Sequence, residues 1–163
     1  GFSEDLLPDF QSLAGTWKIA KGDDAARAIV DCDDSDFLAT TVPGGWERDA
    51  LPDYDGFAWY RVRFTVSPEQ RAAWGDVPLA LVMGAIDDAD ETFLNGQKIG
   101  ASGQVSPARQ TAWDQVRVYE FSPAFLQDDN VIAVRVDDWG GGGGIWRGPV
   151  ALGPAAALKT LTP

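Results

Sequence analysis

The order of apolar and polar positions along the chain sets the first picture. Thr16-Trp17-Lys18-Ile19-Ala20 is the first strand-like run. In Phe57–Val66 one face carries Tyr60, Val62, Phe64 and Val66, while Arg61, Arg63 and Thr65 point the other way. That period of two predicts a half-buried strand, with Trp59 on the side opposite Tyr60. Pro78–Met83 is apolar without a break and ends at Gly84, the pattern of a central strand covered on both faces. Glu91–Leu94 and Gln97–Ile99 flank Asn95-Gly96 and read as a tight hairpin, because Asn-Gly tolerates the positive φ of a two-residue turn. Val116–Phe121 is another strand. In Val131–Asp138, Ile132, Val134 and Val136 alternate with Ala133, Arg135 and Asp137, and Pro149–Leu152 closes the set.

Punctuation supports the same architecture. Ser67-Pro68-Glu69-Gln70 has the Ser cap, the Pro at the first helical position and the Gln of a capping box, predicting one or two helical turns through Trp74. Ser122-Pro123 begins a shorter turn by the same logic. Residues 1–15 mix turn formers with apolar residues, and the acidic stretch from Lys21 to Asp36 reads as a solvated loop. Its carboxylates miss the spacing of an EF-hand, so a calcium reading of that loop is the weaker one. No helical period competes and no internal repeat or linker divides the chain. The expectation is all-β, a β-sandwich jelly roll over residues 1–153, with 1–36 as opening strand and acidic loop and 154–163 as tail or linker.

Composition narrows the function classes. At 163 residues and 45% apolar content the chain can bury a proper core. It carries 25 Asp+Glu against 13 Lys+Arg, a formal charge of −12, with no basic run. Nucleic acid and anionic membrane surfaces reward basic patches, so neither is an expected partner. No run reaches the length of a membrane-spanning helix, and no signal-peptide pattern opens the chain. It starts at Gly1-Phe2-Ser3 without a Met, which suggests an excised domain or a processed product. Cys32 is the only cysteine, which excludes an internal disulfide and a cysteine-based metal cluster. Histidine is absent. That removes Ser-His and Cys-His nucleophile pairs and the usual general base near neutral pH.

Candidate chemistry then falls in three places. Ile86-Asp87-Asp88-Ala89-Asp90-Glu91 groups carboxylates at a strand end, where they can order a loop, accept hydrogen bonds from sugar hydroxyls, or act as an acid/base pair. Asp137-Asp138-Trp139, the five glycines Gly140–Gly144 and Ile145-Trp146-Arg147 form the second. The glycine run lacks the Gly-Lys-Ser/Thr ending and the following helix of a phosphate loop. Trp139 and Trp146 instead suit a sugar surface, where an indole packs on the ring C–H face and Arg or Asp bonds its hydroxyls; the alternative is that one Trp plugs the barrel end. The third is Thr41–Glu47 with Asp53–Arg61, where Trp46 in a Pro-Gly-Gly loop is expected to be exposed. Trp113, with Arg109 upstream, is a softer candidate. No Gly-x-Ser-x-Gly occurs.

Several of these blocks together resemble one domain type. They are Val42–Glu47, Asp55–Arg61, Leu81–Gly96, Asn130–Asp138 with the glycines, and Gly144–Val150, spanning about residues 40–152. The chain resembles the galactose-binding-like jelly roll inserted in sialate O-acetylesterase-type carbohydrate esterases, which is related to the sugar-binding domain of family-two glycoside hydrolases. The resemblance implies a non-catalytic module whose partner is an oligosaccharide or polysaccharide, beside the catalytic domain of a parent enzyme. It also implies that the segment around Asp55 and the Asp138–Trp146 loop lie towards the sugar, that a structural Ca2+ is allowed though no ligand set is assigned, and that the setting is periplasmic or extracellular. Trp46, Trp139 and Trp146 are then expected to stack, and Asp55, Asp87, Asp88, Asp138 and Arg109 to bond the ligand. Two alternatives stay open: a structural insertion that orients a catalytic domain and binds no sugar, and a free-standing hydrolase using paired carboxylates.

Overall fold

The computed structural model describes residues 10–158. The first nine residues of the opening segment and the last five of the expected tail lie outside them. Among the described residues, ten strands build two antiparallel sheets: β1 (Gln11–Ser12), β2 (Gly15–Lys21), β3 (Leu38–Val42), β4 (Gly56–Thr65), β5 (Leu79–Asp87), β6 (Ala89–Leu94), β7 (Gln97–Ser102), β8 (Val116–Phe121), β9 (Asp129–Asp138) and β10 (Gly144–Pro154). One sheet runs β1-β10-β5-β8 and the other β3-β2-β4-β9-β6-β7, which is the β-sandwich jelly roll expected from the strand pattern. Trp17, Ile19, Tyr60, Leu81, Met83, Ile132, Val134 and Ile145 meet between the sheets. Their burial is what holds the two layers together.

The local signals are realised. Ser67 caps α1 (Pro68–Trp74) by accepting from Gln70 N, and Ser122 caps a short 3-10 turn at Pro123–Phe125. Asn95 and Gly96, at φ 51° and 85°, make the hairpin turn between β6 and β7. The long apolar run is covered twice. Leu79, Leu81 and Met83 face the core, while Ala80 and Val82 pack outward against Ala151 and Leu158.

Four details differ from the sequence pattern. β5 does not stop at Gly84 but continues to Asp87, through a bulge at which Gly84 takes φ 56°. A side chain there would strike the backbone of Arg147, so the glycine lets β10 approach and carries the strand on to the carboxylates. The outer side of β4 is solvated only towards its end: Trp59 and Arg61 are buried, while Arg63 and Thr65 are exposed as expected. The acidic stretch is likewise no merely solvated loop. Asp34 accepts from Arg61 Nε at 3.0 Å, and the carbonyls of Ile29 and Val30 accept from the same guanidinium. Asp23 binds Trp59 Nε1 and Arg135, and Asp24 caps a 3-10 turn at Ala25–Ala28. The loop thus closes over the outer face of the larger sheet. Finally, packing continues past Pro154: α2 (Ala155–Leu158) places Leu158 in full burial.

Candidate functional site

The ends of β5, β9 and β10 converge with two loops, and there the acidic residues collect. β5 delivers Asp87, the turn after it Asp88, and β9 ends in Asp137 and Asp138. The peptide joining Asp87 and Asp88 is cis. Asp137 O accepts from Asp88 N at 3.0 Å, which locks the turn to the end of β9. Glu47, on the 3-10 turn Trp46–Arg48, and Asp55, just before β4, approach from the other side. One oxygen each from Glu47, Asp55 and Asp138 lies within 4.8 Å of the others, and the same holds for Asp87, Asp88 and Asp138.

These carboxylates are not equivalent. Asp88 is committed to the loops around it: Oδ1 accepts from Thr111 Oγ1 at 2.6 Å and Oδ2 from Trp139 N at 2.9 Å. Asp137 Oδ2 accepts from Ser106 N and from Trp139 Nε1. Glu47 and Asp138 are each only half satisfied. Gly143 N donates to Glu47 Oε2 at 2.8 Å and Gly140 N to Asp138 Oδ1 at 3.3 Å, while Glu47 Oε1 and Asp138 Oδ2 are buried with no partner. Burial pushes the Asp138 carboxyl up to about 8, helped by the negative charges of Asp87, Glu47 and Asp55. Burial, then the adjacent Asp88, pushes Asp87 up to about 7. Near neutral pH this end of the sandwich therefore holds protons, or another source of positive charge, among its carboxylates.

The glycine run wraps this cluster. Gly143 leaves no room for a side chain, since a Cβ would collide with Asp138 Oδ2 and the Trp46 indole. Gly143 O accepts from Trp46 N, and Gly44 N donates to Ile145 O, so the Pro-Gly-Gly loop is stitched to the start of β10. Trp46 itself is fully buried. It donates through Nε1 to Tyr54 O and packs against Tyr54 and Tyr60. The expectation of an exposed Trp46 is corrected: this indole floors the site and cannot stack on a ligand.

Aromatic surface exists elsewhere on the rim. Trp113 is 48% exposed and stacks on half-buried Trp146, with ring centroids 5.9 Å apart and planes at 25°. Trp146 Nε1 donates to Trp113 O, and Arg147 lies over the Trp146 ring. Trp146 also walls a groove of about 500 Å3 formed with Pro43, Gly44, Gly45 and Arg48. Half-buried Trp139 carries the exposed Arg109 guanidinium 5.8 Å from its ring centre. One chain of hydrogen bonds joins rim to acids. Trp113 N donates to Thr111 Oγ1, Thr111 Oγ1 donates to Asp88, and Ala112 N donates to Asp88 O.

The structure thus gathers Asp55, Asp87, Asp88, Asp138, Trp139, Trp146 and Arg109 around one end of the sandwich, over a buried Trp46. Sequence reasoning missed Glu47 as a member, although it stands in the same Pro-Gly-Gly-Trp-Glu block. It also missed Arg117. That side chain is fully buried, donates to Asp90 Oδ1 at 2.8 Å and holds the carbonyls of Ala112 and Gln115, anchoring the loop that carries Trp113. The donors facing the open centre are all carboxylate oxygens, two of them unpartnered, a chemistry that fits a hard cation.

No protein-family model matches the sequence, and comparison with curated proteins finds no match. Solved structures do match in fold, among them glycosidases, some of which are described as members of glycoside hydrolase family 2. A calcium-binding mutant of Bacteroides uniformis β-glucuronidase 2 aligns over 88% of this chain at TM-score 0.68 and 24% identity. A β-glycosidase from Bacteroides vulgatus covers 89% at 0.67 and 23%, and Bifidobacterium dentium β-glucuronidase 78% at 0.61 and 22%. The chain spans only 17% to 20% of the length of those proteins. It has the fold of one domain of a much larger glycosidase.

Proposed function

We propose that this chain is a non-catalytic, glycan-binding module of a larger glycoside hydrolase. The observation that carries the reading is the exposed Trp113–Trp146 stack on the rim of a carboxylate-lined strand end, tied to it through Thr111 and Asp88. Sugars need both parts: a flat apolar face for the ring C–H groups and fixed acceptors for the hydroxyls. In this reading Trp146 and Trp113 stack, Trp139 and Arg109 flank the ligand, and Asp87 and Asp55 accept from hydroxyls, with buried Asp138 beneath them. Asp88 holds the loops in place. Trp46 supports the floor.

The likeness to β-glucuronidases and other glycosidases supports the family-two side of the resemblance. The sialate O-acetylesterase side rests on the sequence blocks alone. The lack of histidine removes Ser-His hydrolysis by the chain itself, and the commitment of Asp88 to its loops disfavours a carboxylate pair built on it. Affinity electrophoresis of the 163-residue chain through gels containing plant and host polysaccharides tests the proposal. Retardation by at least one glycan, reduced about tenfold or more in Trp146→Ala, is expected, since base- and ring-stacking residues of this kind dominate such sites. Silence across all gels would assign the chain the other role, a structural insertion that orients a catalytic domain. Release of nitrophenol from nitrophenyl glycosides or acetate, lost in Asp87→Asn, would instead make it an enzyme; none is expected.

A further inference from the structure

We propose that Glu47, Asp55 and Asp138 form a binding site for a hard divalent cation, Ca2+ in the first place, closed over by the glycine run Gly140–Gly143. Two bare buried oxygens, more than the acidity of the cluster, mark the site. Asp138 is 1% exposed, and its Oδ2 is buried with no hydrogen-bond partner; Glu47 Oε1 is in the same condition. A buried carboxylate oxygen without a donor is costly, and native folds rarely leave two side by side. The second oxygen of each group is fixed by a backbone N–H of the glycine run, which aims the bare oxygen inward.

The geometry suits an ion. One oxygen each from Glu47, Asp55 and Asp138 lies within 4.8 Å of the other two. Ligands of a calcium ion at 2.3–2.6 Å lie no more than about 5 Å apart. Asp55 is exposed, so it offers a third ligand and an opening through which water can complete the shell. Asp87 stands beside Asp138 and adds charge without having to bind directly.

Positive charge is otherwise missing. Among the described residues, every ion pair within 4.0 Å uses Asp23, Asp34, Asp90, Glu91 or Asp128, and none uses Glu47, Asp55, Asp87 or Asp138. Elsewhere Arg61 and Arg117 neutralise buried Asp34 and Asp90, and buried Asp88 and Asp137 are met by N–H and hydroxyl donors. Here the donor set holds oxygen only, without nitrogen or sulfur, which selects a hard cation over Zn2+ or Cu2+. The site also gives the glycine run a purpose that a phosphate-loop reading does not. Gly143 must lack a side chain for Asp138 and Trp46 to sit where they do, and its N–H must reach Glu47.

The test uses the whole chain, stripped with chelator and titrated with CaCl2 at pH 8 in the absence of sugar. Calorimetry is expected to give one Ca2+ per chain, and melting to rise by about 5 °C or more at a hundredfold excess over the dissociation constant. Asp138→Asn and Glu47→Gln should each abolish the increment while melting, metal-free, no lower than the parent. Asp55→Asn, on an exposed side chain that does not threaten folding, should weaken binding at least about tenfold, in line with loss of one ligand of few. Asp114→Asn, an acidic change outside the cluster, should leave the increment intact. No calcium-dependent change in melting or heat, or an increment that survives both Asp138→Asn and Asp55→Asn, overturns the site. Because no glycan is present, failure here leaves the glycan proposal standing, and a sugar-silent chain that still binds Ca2+ leaves this one standing.

Discussion

Asp90 and Asp138 are equally hidden, each at 1% exposure, yet the fold treats them in opposite ways. Around Asp90 every oxygen is answered. Arg117 Nε and Tyr119 reach Oδ1, and Thr92 and Tyr119 reach Oδ2. Burial raises the Asp90 carboxyl, while Arg117, Thr92 and Tyr119 work against that rise. Around Asp138 one weak backbone contact satisfies Oδ1, Oδ2 has nothing, and the neighbouring side chains are acids. The first arrangement is how a sandwich buries a charge for structure. The second is left incomplete at the mouth of the fold, where a ligand can complete it. On the proposed readings, stability and binding fall to two aspartates on neighbouring strands.

Breaking the satisfied pair gives the largest effect. Arg117→Ala strands the Asp90 charge in the core and frees the carbonyls of Ala112 and Gln115. A loss of about 3–5 kcal/mol is expected, measured as a drop in the urea midpoint. Changing both partners to apolar residues, Arg117→Met with Asp90→Leu, should recover most of it, because the penalty lies in the unpaired charge rather than in the pair's absence. If the double variant is as unstable as the single, the packing of the loop and not the charge is responsible. Arg61→Met tests the same rule under milder conditions. Asp34 keeps Lys18 and Arg63 nearby and retains some access to water, so a loss of about 2 kcal/mol is expected.

The two buried arginines also mark where the sequence stops being legible. Period-two alternation placed β4 and β9 and the Asn-Gly hairpin, and the Ser-Pro caps placed the helical turns, because each is decided by neighbours along the chain. Alternation also put Arg61 on the outer side of β4, as it is. Nothing local showed that Asp34, 27 residues earlier, folds back over it. Asp87 and Asp88 were visible at the end of the long apolar run, and Asp138 ahead of the glycines, as two separate blocks. Their division into committed Asp88 and bare Asp138 was not, since it depends on where Thr111, Trp139 and the glycine loop come to rest. Trp46 shows the same limit. A Trp in a Pro-Gly-Gly loop looks exposed until the glycine run after β9 is laid across it.

Relieving the unsatisfied aspartate should have the opposite sign and a smaller size. Asp138→Asn removes a charge from a buried acidic cluster, and in metal-free protein at pH 8 it should raise stability by about 1–2 kcal/mol. The pH dependence follows from the direction of the shift. Unfolded, this carboxyl is ionised above about pH 4; folded and metal-free, it keeps its proton up to about pH 8. Folding takes up a proton across that interval, so its contribution is complete below pH 4 and is lost as pH rises towards 8. Asp87, raised to about 7, acts in the same direction. Melting of the chelated chain should therefore fall between pH 5 and pH 8, and Asp138→Asn should flatten the slope. A melting temperature that climbs over this range would mean that the acids are ionised and paired in a way the geometry does not show.

The smallest effect on stability is expected where the effect on binding is greatest. Trp113 is half exposed, lies on a loop held from beneath by Arg117, and loses only its stack on Trp146 when truncated. Trp113→Ala should cost about 1 kcal/mol or less in urea unfolding, the value of an aromatic pair at a surface. The same variant should lose most of its retardation in a glycan gel, because the stack provides the flat face that the acids cannot. Arg117→Ala, assayed below its melting temperature, should lose retardation as well, through displacement of the loop. Trp113→Ala retaining full retardation would move the ligand away from the rim and towards the groove walled by Trp146 and Arg48. Arg48 lines that groove and takes no part in the stack, so an Arg48→Ala variant that still melts like the parent and loses retardation would place the sugar in the groove, whereas full retardation would return it to the rim.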